Sequence, residues 1–281
     1  MGHHRSSQGG GQLKQEADVK DKIAGEYGRW LASWSPSKST VKARRTLAAN
    51  RLAEWGTDGF TAENIQNWLG TSDFSAWSRA TYHSHLTDLC AWMVAAGYLA
   101  ADPMPDVRKP KRPKSVPRPL SDPEVARILA HAQGVERDWI VLALFSGLRA
   151  HEIAKLRGDD VGPTEIYVEG KGGVRASIPT HPDIWAMAER YDTKGHWFPG
   201  RTEGHVSANL VSQRVGHIFR ELGIVGSVHR CRHTYGTRLL RKGVNIRVVQ
   251  RLMRHSSLAT TEVYLAVGDD ELRDAIGQLS A

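Results

Sequence analysis

The chain is poor in cysteine, with only Cys90 and Cys231 among its 281 residues. The two cysteines fall in different predicted domains, so they suggest no disulfide framework and are typical of a reducing compartment. The sequence also has no apolar run long enough to span a bilayer, and no signal peptide or lipidation signal is visible. We therefore expect a cytoplasmic protein without a membrane partner.

Motifs for metals and nucleotide cofactors are missing as well. The histidines show no HExxH spacing, no CxxC occurs, and the acidic pairs Asp159-Asp160 and Asp269-Asp270 are adjacent residues whose side chains diverge. The glycine-rich run at residues 170–173 lacks the longer P-loop spacing that ends in Lys-Ser/Thr. We expect neither a metal nor a cofactor.

Positive charge is what the sequence has in excess. It contains 38 Lys and Arg against 30 Asp and Glu, a formal net charge of +8. Such an excess favours a polyanionic partner. An acidic membrane surface is the other interpretation, but no amphipathic Lys-rich helix supports it. A polyanion is therefore the expected partner.

Length and patterning predict two domains, each able to bury a core. Residues 1–17 begin rich in Gly, Ser and His and predict a disordered tail or tag remnant. Residues 18–105 predict four helices, because apolar residues recur at steps of three and four between capping residues. Residues 106–119 alternate Pro with Lys and Arg, which predicts an extended basic linker. Residues 120–281 predict a second domain with helices and one β-hairpin, so the whole chain is expected to be mainly α.

Basic side chains recur along the second predicted helix and the linker. A solvated helix face is the alternative, but in so basic a chain we favour contact with DNA phosphates. The candidate DNA-binding residues are Lys42, Arg44, Arg45, Arg51, Arg108, Lys109, Lys111, Arg112 and Lys114.

The stretch Val228–Leu265 carries side chains suited to one small anionic target: His229, Arg232, His255 and Tyr264. The first two are three residues apart, so on a helix they share a face. An Arg guanidinium matches phosphate oxygens with two parallel hydrogen bonds. His can transfer a proton near neutral pH, and Tyr can act as a covalent nucleophile. This combination suits a phosphodiester better than a peptide or a glycoside.

Two motifs resemble the tyrosine recombinases, also called the phage integrase family. The run H-x-x-R-H-T, followed by a His and then T-T-x-x-Y, resembles the family's active site. The stretch VLALFSGLRAHEIAKL, Val141–Leu156, resembles its other signature. The likeness runs from about Leu120 to the end, and a fainter one to the family's core-binding domain covers about Asp18 to Pro105. A compact or Xer-like enzyme is implied.

The resemblance implies a site-specific recombinase that breaks and rejoins double-stranded DNA at attachment or core-type sites through a 3′-phosphotyrosine, without metal or ATP. It would be nucleoid-associated when bound to DNA. Tyr264 would attack the phosphodiester, His229 would accept its proton, and Lys171, on the predicted hairpin, would protonate the departing 5′ oxygen. Two Arg and a second His would stabilise the charge on the phosphate. The implied catalytic set is Arg149, Lys171, His229, Arg232, His255 and Tyr264, with Glu152 and His233 as orienting residues.

The sequence departs from the family at Arg254, where Gly is usual before His255. Gly would permit a positive φ, so a different local turn is expected here. A last helix over 269–279 carries a stripe of Leu272, Ile276 and Leu279. The resemblance implies that it docks into a neighbouring protomer, giving a tetramer on DNA, whereas packing within its own protomer is the alternative.

Two other functions stay open at this point. Type IB topoisomerases share the phosphotyrosine chemistry and would relax DNA instead of recombining it. A basic protein that binds DNA without cutting it is the second alternative, although it would not need the complete catalytic set. Accessory DNA-bending or directionality proteins are possible further partners.

Overall fold

The computed structural model describes residues 9–34, 37–113, 118–169, 175–201 and 203–255. The chain divides into two compact units, Met1–Lys114 and Ser115–Ala281. The division falls inside the segment 106–119, and each unit has a hydrophobic core of its own. Among the described residues, no helix is both long enough and apolar enough to cross a membrane.

Four helices build the described part of the N-terminal unit, and a short 3₁₀ turn follows them. Ser37, Thr61 and Ser75 each precede a helix, and their hydroxyls accept hydrogen bonds from backbone N–H groups three residues on. Such caps satisfy donors that the first turn of a helix leaves without partners. The helices are α1 (Gly9–Ser33), α2 (Lys38–Trp55), α3 (Ala62–Thr71) and α4 (Ala76–Ala95), and the turn is Met104–Asp106.

Helix α1 begins earlier than the sequence pattern predicts. Its first residue is Gly9, whereas we expected a disordered tail over residues 1–17. Residues 12–18 are mostly Leu, Lys, Gln, Glu and Ala, which have high helix propensity, so the helix extends back without an apolar stripe. Residues 1–8 lie outside the described part of the chain.

The core of the N-terminal unit draws on all four helices. Tyr27 and Leu31 of α1, Leu52 of α2, Ile65 of α3 and Leu86 of α4 are all fully buried. Buried residues recur at steps of three to five within a helix, as Tyr27 and Leu31 do in α1, which is why an amphipathic pattern predicts the packing.

The C-terminal unit contains seven helices and one hairpin in the described ranges. Its first helix starts with a capping box, in which Ser121 and Glu124 exchange hydrogen bonds as the sequence predicts. The elements are α5 (Asp122–His131), α6 (Gly134–Ser146), α7 (Ala150–Lys155), β1 (Glu165–Glu169), β2 (Arg175–Pro179), α8 (Pro182–Ala188), α9 (Ala208–Glu221), α10 (Val228–Arg241) and α11 (Ile246–Leu252).

Helix α6 lies at the centre of this unit. Its residues 138–144 are all buried, and it packs against α8, α9 and α10. A helix that is apolar all round needs neighbours on every side. Gly147 ends α6 in the left-handed region, with φ of 62°. A β-carbon at Gly147 would meet the Tyr235 ring at 2.6 Å, so only glycine fits between α6 and α10.

The small sheet consists of two antiparallel strands, in which Glu165 pairs with Pro179 and Glu169 with Arg175. Alternate residues face the core, among them Ile166 and Val168. The connecting residues 170–174 lie outside the described ranges. The predicted fold class, mainly α with a small sheet in the C-terminal domain, is confirmed.

Candidate active site

Helix α10 carries three of the predicted site residues. Val228 and Cys231 are buried and fix the helix against the core, which sets the direction of His229, Arg232 and His233. The side chain of Arg232 is only 5% exposed. Its Nη1 donates to the carbonyl of Gly147 and its Nη2 to the carbonyl of Met253.

Arg149 stands at the N-cap of α7, directly after the turn that Gly147 makes possible. Its backbone N–H donates to Glu152 Oε2 at 2.7 Å, and its Nη1 donates to Glu152 Oε1 at 2.9 Å. These two hydrogen bonds, both donated by Arg149 to Glu152, fix the start of the helix and the direction of the guanidinium. The side chain of Arg149 is 28% exposed, so part of it is accessible to solvent at the site.

Glu152 is the buried anion at the centre of the cluster, with a side chain that is 0% exposed. Arg254 Nη2 lies 2.8 Å and Arg232 Nη1 lies 3.7 Å from its Oε2. Burial alone would raise the pKa of this carboxyl. The guanidinium of Arg254, the N–H of Arg149 and the guanidinium of Arg232 outweigh burial, so the pKa lies below its usual value. Glu152 is therefore a carboxylate shared by three guanidinium groups.

The turn before His255 is the point where the sequence departs from the family. Arg254 has φ of 52°, the one positive φ outside glycine in the described ranges. The expectation that the turn would differ from a glycine turn in backbone conformation is therefore wrong, because the chain adopts the left-handed region with an arginine in it. The backbone N–H of His255 then donates to the carbonyl of Gln250 at 3.1 Å.

The histidines of the site have depressed proton affinity. Burial is the main cause in each, and nearby guanidinium charge adds to it, lowering the pKa of both His233 and His255 to about 4. The pKa of His229 is also lowered, by burial and then by Arg232 and Arg149. Neutral imidazole is favoured because a protonated ring would face these cations.

His151 belongs to this neighbourhood but was not among the predicted residues. Burial lowers its pKa, and it contributes to the lowered pKa of His229. Its place between Arg149 and Glu152 in the chain was the available signal.

The structure thus brings Arg149, His229, Arg232 and His255 into one cluster, together with Glu152 and His233. The guanidinium groups of Arg232 and Arg149 lower the pKa of both His229 and His255, so they lie close enough to act electrostatically on both rings. Lys171 and Tyr264, the other two predicted catalytic residues, lie outside the described residues. Within the described ranges, no group of three or more His, Cys, Asp or Glu is placed to hold a metal ion.

Two candidate DNA-binding residues are engaged inside the N-terminal unit. Arg44 forms a 2.6 Å ion pair with Asp88 and is 15% exposed. Arg51 lies over the rings of Trp55 and Trp68, at 5.0 and 4.5 Å from their centroids, and is 12% exposed. Their burial against neighbours in the same unit ties these guanidinium groups to the fold instead of presenting them to DNA.

The other described candidates are exposed. Residues 107–113 are not a free tether, because Val107 is buried and the backbone N–H of Arg108 donates to Gln66 at 2.8 Å. Arg112 lies 5.1 Å from the ring centroid of the exposed Trp77. Lys114 lies outside the described residues. The exposed members of the predicted DNA-binding set are Lys42, Arg45, Arg108, Lys109, Lys111 and Arg112.

Comparison with known proteins gives the class. Residues 119–271 match the model of the phage integrase family. Tyrosine recombinase XerC of Neisseria gonorrhoeae is 31% identical, over 81% of this chain and 75% of its own length. The integrase from mycobacterium phage Brujita is 36% identical, with 93% of each chain covered and a TM-score of 0.50. A lambda integrase tetramer bound to a Holliday junction is 20% identical and shares the fold, with a TM-score of 0.67 over 92% of this chain and 83% of that one.

The family match covers more than half of the chain, so the chain belongs to the phage integrase family. It is a site-specific DNA recombinase of the tyrosine class. No comparison supports the topoisomerase alternative.

Proposed function

We propose that this recombinase cuts DNA with Tyr264, which attacks the scissile phosphodiester and leaves a 3′-phosphotyrosine and a free 5′-hydroxyl. The observation that carries the proposal is the pair Arg149 and Arg232, fixed around the buried carboxylate of Glu152. Displacement at phosphorus builds negative charge on the non-bridging oxygens, and two rigid guanidinium groups stabilise that charge. Because the phosphotyrosine conserves the energy of the broken bond, rejoining needs no ATP.

Proton transfer is assigned to the remaining members of the site. His229 accepts the proton of Tyr264, a role that requires the neutral ring which its lowered pKa favours. Lys171 protonates the departing 5′ oxygen, since an alkoxide is a poor leaving group. His255, neutral for the same reason, donates an N–H to a non-bridging oxygen, and His233 orients its neighbours.

DNA binding outside the active site is assigned to the N-terminal unit. Its exposed candidate residues fall into two groups, Lys42 with Arg45 on α2 and four along residues 108–112. Arg44 and Arg51 are left out because neighbours within the unit engage them. We place the phosphate contacts on the exposed groups, where they remain accessible to a duplex.

Assembly completes the proposal. The lambda integrase with the same fold is a tetramer on a Holliday junction. We propose that this chain also assembles as a tetramer on DNA, with the stripe of Leu272, Ile276 and Leu279 docked on a neighbouring protomer. That stripe begins only a few residues after Tyr264, so docking would also position the nucleophile.

The test is covalent trapping on a nicked suicide duplex, in excess EDTA and without ATP. The native chain should form a protein–DNA adduct that survives denaturation. Tyr264→Phe should bind the same DNA and form no adduct, because only the hydroxyl is lost. Tyr235→Phe is the matched control, since it removes a hydroxyl from the tyrosine of α10, and it should still form the adduct. An adduct with the Tyr264 variant, or a strict Mg²⁺ requirement, would contradict the proposal.

A further inference from the structure

We infer that Arg254 is a positioning residue for strand cleavage, which holds Glu152, and through it Arg149, in register with the turn that carries His255. The inference rests on the proposed function, because it concerns the rate of the Tyr264 reaction. Arg254 stands where the family usually has glycine, which has no side chain to make such contacts.

Its side chain is 8% exposed and joins three segments. Nη2 donates to Glu152 Oε2 on α7 at 2.8 Å and to the carbonyl of Gly147, after α6, at 3.2 Å. Nη1 donates to the carbonyl of Leu252, at the end of α11, at 3.0 Å. These contacts tie the His255 turn to the two segments that position Arg149.

Arg254 also contacts Arg149 through its own backbone. Arg149 Nη2 lies 3.4 Å from the carbonyl oxygen of Arg254, while Arg149 Nη1 bonds Glu152 Oε1. The two ends of the Arg149 guanidinium are therefore fixed by Arg254 and by the carboxylate that Arg254 holds. A shift of this residue would move both supports of the Arg149 fork.

The backbone conformation at Arg254 supports a role for its side chain. A φ of 52° is unfavourable for a residue with a β-carbon, and glycine would occupy it without strain. The side-chain contacts must offset that strain for the turn to persist. Three guanidinium groups, those of Arg149, Arg232 and Arg254, face the single carboxylate of Glu152. These four side chains together carry two more positive charges than negative ones, and Arg254 contributes one of them.

The test measures single-turnover adduct formation with saturating full-length protein, DNA affinity by gel shift, and thermal stability. Arg254→Asn removes the guanidinium while keeping a residue that tolerates the left-handed region. Its adduct rate should fall roughly ten- to hundredfold, as displaced catalytic groups do, with DNA affinity nearly unchanged. The melting temperature should fall as well, because the buried carboxylate of Glu152 loses one partner. Arg254→Lys keeps the charge and should recover part of the rate. Val248→Ala, at an exposed position on α11, is the control and should match the native chain.

A double-mutant cycle with Glu152→Gln identifies the route of the effect. If Arg254 acts through Glu152, adding Arg254→Asn to Glu152→Gln should lower the rate far less than it does in the native chain. An equal loss in both backgrounds would overturn the inference and make Arg254 a direct phosphate contact. A native rate for Arg254→Asn, or a loss of DNA affinity as large as the loss of rate, would overturn it as well. Failure of the proposed function is distinct, since the native chain would then form no adduct.

Discussion

The backbone N–H of Leu120 donates a 2.8 Å hydrogen bond to the hydroxyl of Thr234 on α10. Arg230, one turn earlier on the helix, donates through Nε to the carbonyl of Arg118 at 2.8 Å and through Nη2 to that of Pro119 at 3.3 Å. The first described residues of the C-terminal unit are thus bound to the helix that carries the predicted base. Residues 118–120 are therefore fixed to the helix of the candidate active site.

Thr234→Val should destabilise the C-terminal unit. Its hydroxyl is fully buried, accepts from Leu120 and donates to the carbonyl of Arg230. Valine therefore leaves the buried N–H of Leu120 without a partner, whereas the carbonyl of Arg230 keeps its helical hydrogen bond. The free energy of unfolding should fall by roughly 1–3 kcal/mol. Urea unfolding of the intact chain measures it.

Thr237→Val is the matched control, one turn along the same helix. Thr237 is also buried, but its hydroxyl finds no hydrogen-bond partner in the described part of the chain. Replacing it with a methyl group removes a desolvated hydroxyl, so stability should be unchanged or slightly higher. Equal losses in the two variants would show that shape, and not the Leu120 hydrogen bond, determines stability at these positions.

Arg232→Lys should abolish most cleavage although the charge is kept. The guanidinium bonds two carbonyls on opposite sides, those of Gly147 and Met253, and a lysine ammonium cannot reproduce this planar fork. Loss of one transition-state contact of this kind costs about 3 kcal/mol, a rate loss of roughly a hundredfold or more. Single-turnover trapping with saturating protein measures the rate. Near-native cleavage would reduce Arg232 to a simple phosphate anchor.

The protein should lose stability as the pH falls from about 6.5 toward about 4. The pKa of both His233 and His255 is lowered from 6.5 to about 4. Between these two pH values the two histidines are protonated in the unfolded chain but neutral in the folded chain. Stability rises with pH wherever the unfolded state binds more protons, so acidification favours unfolding. Urea midpoints across this range should decline. His255→Gln should reduce the decline, whereas His217→Gln, at an exposed position of α9, should not.

Deleting residues 270–281 should separate binding from assembly. If the apolar stripe of this segment docks on a neighbour, binding to a single DNA site should remain nearly native, while the synaptic complex and strand exchange are lost and cleavage is reduced. Packing within the same protomer predicts a destabilised monomer with weakened binding instead. Gel-shift and sedimentation measurements distinguish the two. Normal recombination by the shortened chain would contradict both.

The sequence determined what is local and periodic. Helical spacing and capping residues predicted α2 to α6, and alternation predicted the hairpin, because both signals reside in neighbouring residues. The motifs around Arg149 and Arg232 placed the chain among the tyrosine recombinases. The N-terminal limit of α1 was missed because a helix without an apolar stripe gives no periodic signal.

Only the tertiary structure decided which groups share a contact. Arg44 and Arg51 read as DNA-binding cations in the sequence, yet Asp88 and two tryptophans engage them, and these partners lie on α4, α2 and α3. Likewise, Glu152 and Arg254 are 102 residues apart and meet through the packing of α7 beside the turn after α11. The sequence does not identify the partner of a charged residue, since burial and pairing depend on how distant helices pack against one another.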